Sequence, residues 1–151
     1  MSSLSKVKVL IVGIGNTIRA DDGIGAYVCS AIDEMNIDGI ETLIVQQLDT
    51  GLVDEFLKVD KIVLVDASVK NDGVNFYPLK NEESFSISSS HHLNANLLSS
   101  LIRKLYEKEI NVMLCAVKGE DFDIGEQLSF TARQNAEKAV DLIVDWIKNS
   151  D

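Results

Sequence analysis

The chain is poor in the residues that would mark several common classes of protein. It has two cysteines in 151 residues, Cys29 and Cys115. They stand alone in apolar surroundings with no CxxC or Cys/His spacing, which excludes a zinc finger and a disulfide scaffold and leaves two buried free thiols. Proline occurs once, at Pro78, and histidine twice, at His91 and His92. No apolar run approaches the roughly 20 residues of a membrane span. The N-terminus carries one charge before an apolar run of about eight positions without a cleavage site, so no signal peptide is expected. Cations are also scarce: 14 Lys plus Arg stand against 24 Asp plus Glu, a formal net charge of −10. That field repels nucleic acid and anionic membranes and favours metal ions or basic peptides. The expectation is a cytoplasmic protein that binds neither nucleic acid nor membrane.

What is present fits one globular domain spanning 1–151, with 46% hydrophobic and 25% charged residues. A core at this size buries roughly two-thirds of the unfolded surface. Residues 7–14 form a β-branched apolar run closed by glycine, as in a strand buried on both faces. Asp21 can cap a helix beginning near Asp22, with Ile24, Val28, Cys29 and Ile32 on its inner face. Strands follow at 40–47 and 61–65, with a short helix at 52–57 between them. A strand at 74–79 holds the proline and belongs at an edge. Residues 81–90 read as a serine-rich surface loop. Leu93, Leu97, Leu98, Leu101, Ile102 and Leu105 mark an amphipathic helix. A strand at 111–117, an acidic loop at 119–128 and a long helix at 129–148 complete the order β-α-β-α-β-β-α-β-α. This alternation predicts a three-layer α/β/α sandwich, a mostly parallel twisted five-stranded sheet with helices on both faces.

Open α/β sheets bind ligands where their strands end at the carboxyl edge. Gly13-Ile14-Gly15-Asn16 follows the first strand, with Asp21-Asp22-Gly23-Ile24-Gly25 shortly after. Asp66 follows the third strand, and the loop into the third long helix supplies His91 and His92. Two carboxylates and an imidazole without thiolate suit nickel, zinc or another borderline divalent ion. Taken singly, each has a plainer use. One of Asp21 and Asp22 caps the helix and leaves the other free, Asp66 bonds loop amides, and one of the two histidines is solvated. Their common location at one sheet edge favours a site. A dinucleotide site fits poorly, because the third glycine of GxGxxG would fall at Ile18 and Gln46-Gln47 replace the acidic residue after the second strand.

Gly13 to Gly25, Val65 to Ser68 (VDAS) and Ser89 to Asn94 (SSHHLN) resemble the hydrogenase maturation endopeptidases, with a weaker echo at Gly125 to Ser129. The resemblance covers nearly the whole chain. It implies an endopeptidase, a hydrolase, that removes the C-terminal extension of a nickel–iron hydrogenase large-subunit precursor after nickel insertion. Asp22, Asp66 and His91 would be its catalytic and metal-contacting residues, with nickel supplied by the precursor and no organic cofactor. It also implies a monomer. Two family features are replaced: an Asp-Gly-Gly-Thr stretch by Gln46 to Gly51, and a proline after the last strand by Lys118 to Asp121. The alternative from another class is a non-catalytic, metal-dependent maturation chaperone or scaffold that docks the same subunit without cutting it.

Overall fold

The computed structural model describes residues 8–80 and 89–149, with the side chains of 89 and 90 left aside. Its strands are β1 (Val9–Ile14), β2 (Ile40–Val45), β3 (Lys61–Ser68), β4 (Val74–Pro78) and β5 (Asn111–Lys118). Its helices are α1 (Ile24–Asp33), α2 (Val53–Leu57), α3 (Ser89–Tyr106) and α4 (Phe130–Asn149), with 3-10 turns at Ala20–Gly23 and Thr50–Leu52. The sheet order is β2-β1-β3-β5-β4. All neighbours are parallel except β4, which runs antiparallel to β5 at the edge that its proline requires.

Alternation along the strands divides the core into two layers. Leu10, Val12, Ile14, Ile62, Leu64, Leu114 and Ala116 face α2 and α3, whereas Val9, Ile11, Val63, Val65, Cys115 and Val117 face α1 and α4. Both cysteines are free and buried. The predicted α/β/α arrangement with a five-stranded, mostly parallel sheet is therefore the observed one.

Two glycines of the N-terminal motif set the approach of α1 to β1. A Cβ on Gly25 would lie 2.7 Å from Ile14 N and 2.8 Å from Gly13 Cα, and one on Gly13 would strike the Gly25 carbonyl. Only hydrogen fits between helix and strand here. This contact seats the turn at 20–23, with its two aspartates, over the carboxyl edge of the sheet.

Several boundaries differ from expectation. Strand β3 runs on to Ser68, so Asp66 lies within the strand, level with Ile14 of β1 and Ala116 of β5. Helix α3 begins at Ser89, which places both histidines in its first turn instead of in a loop; the remainder of the expected loop, 81–88, lies outside the described residues. Along α3 the buried seam is Ala95, Leu98 and Ile102, while Leu93, Leu97 and Leu105 are exposed. Leu93 and Leu97 are four apart and Leu105 lies eight further on, a second row on the outer side that an apolar pattern by itself does not separate from the first.

Candidate active site at the carboxyl edge of the sheet

Asp66 has the parity of Ile62 and Leu64, so its side chain leaves β3 on the face covered by α3. There it meets His91: imidazole Nδ1 lies 2.6 Å from Asp66 Oδ2, with the ring donating to the carboxylate. The pair is largely shielded, with side-chain exposures of 20% for His91 and 5% for Asp66. Burial raises the Asp66 pKa, opposed by the hydrogen bond and charge of His91 and reinforced by the negative charge of Asp22. The His91 pKa is also raised, chiefly by its hydrogen bond to Asp66; burial opposes this, and the charges of Asp66 and Asp22 add to it. Asp66 also accepts the backbone N–H of Ala67, so the carboxylate serves both the imidazole and the end of its own strand.

Asp22 comes from the turn before α1 and is near enough for its charge to act on both members of that pair. Its Oδ2 accepts the backbone N–H of Asn16 at 2.8 Å. Asn16 in turn accepts the N–H of Ile18 on its side-chain oxygen at 3.1 Å. Gly15 between strand and loop adopts φ +145°, and a Cβ there would run into the Asp22 carbonyl. The GIGN segment therefore holds Asp22 directly.

Asp21 does something the sequence did not suggest. Helix α1 has no side-chain cap, so neither aspartate caps it. The Asp21 side chain is fully buried and accepts four hydrogen bonds: Glu120 N–H at 2.7 Å, Asp121 N–H at 2.9 Å, Ser129 N–H at 2.7 Å and Ser129 Oγ–H at 2.7 Å. Ser129 Oγ also accepts the N–H of Ala132, capping α4. Burial pushes the Asp21 pKa up, but these four donors outweigh it and hold the carboxyl below its ordinary value. Its partners lie about a hundred positions away, beyond the reach of any local pattern. His92 is a second correction. It is buried and its Nε2 donates to Lys80 O at 3.1 Å, so neither histidine is the solvated neighbour expected.

The structure thus brings Asp66 and His91 into contact and sets Asp22 within electrostatic reach of both. Among the described residues, no three His, Cys, Asp or Glu side chains form a ready-made metal cage. No helix among them is long and apolar enough to cross a membrane.

Fold and site together define an α/β protein with an acidic, imidazole-bearing centre at the carboxyl edge of an open sheet. No protein-family model matches the chain. It is 31% identical to a Methanocaldococcus jannaschii protein assigned as a hydrogenase maturation protease, over 96% of this chain and 99% of that one. Several solved structures share the fold, among them two HybD proteins. One is the NiFe hydrogenase maturation protease HybD from Thermococcus kodakarensis, with a TM-score of 0.68 and 24% identity, covering 91% of this chain and 97% of that one. The other is the hydrogenase maturating endopeptidase HybD from E. coli, with a TM-score of 0.74 and 20% identity, covering 93% and 92%. The chain belongs to the hydrogenase maturation protease family, a family of hydrolases.

Proposed function

We propose that this protein is the endopeptidase that removes the C-terminal extension from a nickel–iron hydrogenase large-subunit precursor once nickel has been inserted. The observation that carries this reading is the Asp66–His91 contact, facing the charge of Asp22 at one sheet edge. Two carboxylates and one imidazole are an N/O donor set suited to a borderline divalent ion. Nickel is here part of the substrate: Asp22, Asp66 and His91 contact the ion carried by the precursor, whose own groups supply the remaining ligands. A precursor without nickel lacks that anchor, so cleavage waits for insertion. Anchoring places the scissile peptide beside the site, where orientation accounts for much of the rate. The acting unit is proposed to be a single domain, residues 1–151, working as a monomer in the cytoplasm without an organic cofactor.

The test is incubation with large-subunit precursors, with and without nickel, read by intact mass. The expected result is a shortened product only from nickel-loaded precursor, and its suppression by Asp22→Ala, Asp66→Ala or His91→Ala. His91→Ala should weaken nickel recognition most, because the neutral nitrogen is the softest donor. Full cleavage by all three variants would refute the site. Tight binding with no change in mass would mark the protein as a docking chaperone instead.

A further inference from the structure

Two loops beside Asp22 are joined through their backbones. Gly125 N–H donates to Ile18 O at 2.9 Å, Ala20 N–H to Gly125 O at 2.7 Å and Asp21 N–H to Asp121 O at 2.8 Å. Arg19 and Gly125 thereby pair as in a parallel ladder. The Asp21 carboxylate clamps the same outer loop at Glu120, Asp121 and Ser129. A backbone held at this many points fixes what its side chains present, and here it presents apolar ones to solvent. Ile18 is 56% exposed and Ile124 is 93% exposed, each one residue before a bridge partner. Phe130, directly after the clamped Ser129, is 75% exposed. None of the three joins either core layer.

Exposed apolar groups on a rigid frame beside a site mark an interaction surface. Charge decides the occupant. Glu120, Asp121, Asp123 and Glu126 are all exposed around Ile124, and residues 119–132 contain no lysine or arginine. The facing loop adds one cation, Arg19, and exposed Arg133 follows one turn beyond Phe130, so four carboxylates stand against two cations. A phosphate-bearing partner is repelled by this field. A second copy of the chain, meeting patch to patch, would set the same four carboxylates against each other. The complementary occupant carries apolar side chains flanked by positive charge.

We propose that the Ile18–Ile124 surface, level across the Arg19–Gly125 bridge and rimmed by the carboxylates of the 119–128 loop, docks a segment of the protein substrate in which apolar residues alternate with lysine or arginine. The patch adjoins the site through Asn16, which binds Ile18 by its side chain and Asp22 by its N–H. A segment seated there is delivered to Asp22. This inference rests on the protease reading and adds to it the chemistry of the substrate segment.

The test uses two readouts. The first is the anisotropy of a fluorescein-labelled peptide of alternating lysine and leucine, beside a glutamate–leucine control. The second is cleavage of a nickel-loaded large-subunit precursor, resolved into KM and kcat. The double variant Ile18→Ser, Ile124→Ser is expected to raise the peptide Kd and the precursor KM about tenfold, with kcat unchanged. Neutralising the loop (Glu120→Gln, Asp123→Asn, Glu126→Gln) should weaken both severalfold and flatten their salt dependence. Removing equal charge at the far end (Glu34→Gln, Asp38→Asn, Glu41→Gln) should change neither. Three results would each overturn the docking surface: wild-type behaviour of the isoleucine variant, an equal loss in the far-end variant, or a wild-type dimer in sedimentation that the isoleucine variant splits. If wild-type protein leaves the precursor mass unchanged, the protease reading fails, while the peptide arm still reports on the surface.

Discussion

Asp21→Asn isolates the clamp that joins the N-terminal motif to the start of the last helix. The wild-type carboxylate accepts three backbone N–H groups and one hydroxyl at 2.7–2.9 Å. Three of them, from Glu120 N–H, Asp121 N–H and Ser129 Oγ–H, converge on Oδ2, and the Ser129 N–H alone reaches Oδ1. An amide that keeps its oxygen on the Oδ2 side turns its NH2 on the Ser129 N–H. Hydrogen bonds to a charged group contribute about 1.5–3 kcal/mol each and neutral ones about 0.5–1.5, so losing one and removing the charge from the other three costs about 3 kcal/mol or more. For a domain of this size that lowers Tm by about 6–12 °C. Trp146 in α4, packed edge-on against Phe76 at 5.8 Å, gives a fluorescence signal for thermal and urea unfolding. Because the folded pKa of Asp21 lies below 3.8, its stabilisation is fully present above that value and is lost as pH falls through the folded pKa. The gap between wild type and variant should therefore stay constant near neutrality and close in acid. A gap under about 1 kcal/mol at pH 7 would refute the role of the clamp.

The other predictions concern proton affinity, close packing and thiol reactivity. His91 should titrate above 6.5 by NMR, and Asp66→Asn should lower that value by removing the hydrogen bond that raises it; an unchanged value would break the pairing. The stability contributed by His91 is present below its unfolded pKa of about 6.5 and is lost as pH rises through the higher folded value. Gly25→Ala should destabilise by about 2 kcal/mol or more, because its Cβ meets β1 backbone at 2.7 Å and neither partner is a flexible side chain. Equal denaturation midpoints would contradict this packing. Burial pushes the pKa of both Cys29 and Cys115 up to about 12, so iodoacetamide should modify neither in the folded protein and both in urea.

Local pattern carried most of the architecture. β-Branched runs, the order of strands and helices and the lone proline at an edge each follow from side-chain period and backbone chemistry within a few residues. Asp66 and the His91–His92 pair were recognisable because strand ends and their loops at one edge of a parallel sheet converge; the choice of His91 over His92 came from the resemblance to the maturation endopeptidases. What could not be read were the partners of adjacent, chemically similar residues. Asp21 and Asp22 differ by one position, yet one faces the amides of a loop about a hundred residues on and the other faces the Asp66–His91 pair. His91 and His92 likewise diverge by one helical step of about 100°, one turning to Asp66 and the other to Lys80.

The scarcity of cations shows the same division of labour. By itself the sequence determined that the chain is acidic, poor in thiols and proline, and built as alternating strands and helices, because these are sums and periods along the chain. Only the tertiary structure decided which carboxylates are buried clamps, which belong to the site and which surround an exposed apolar surface. A carboxylate's role depends on the donors and charges within a few ångströms, and the fold, not chain proximity, selects those neighbours.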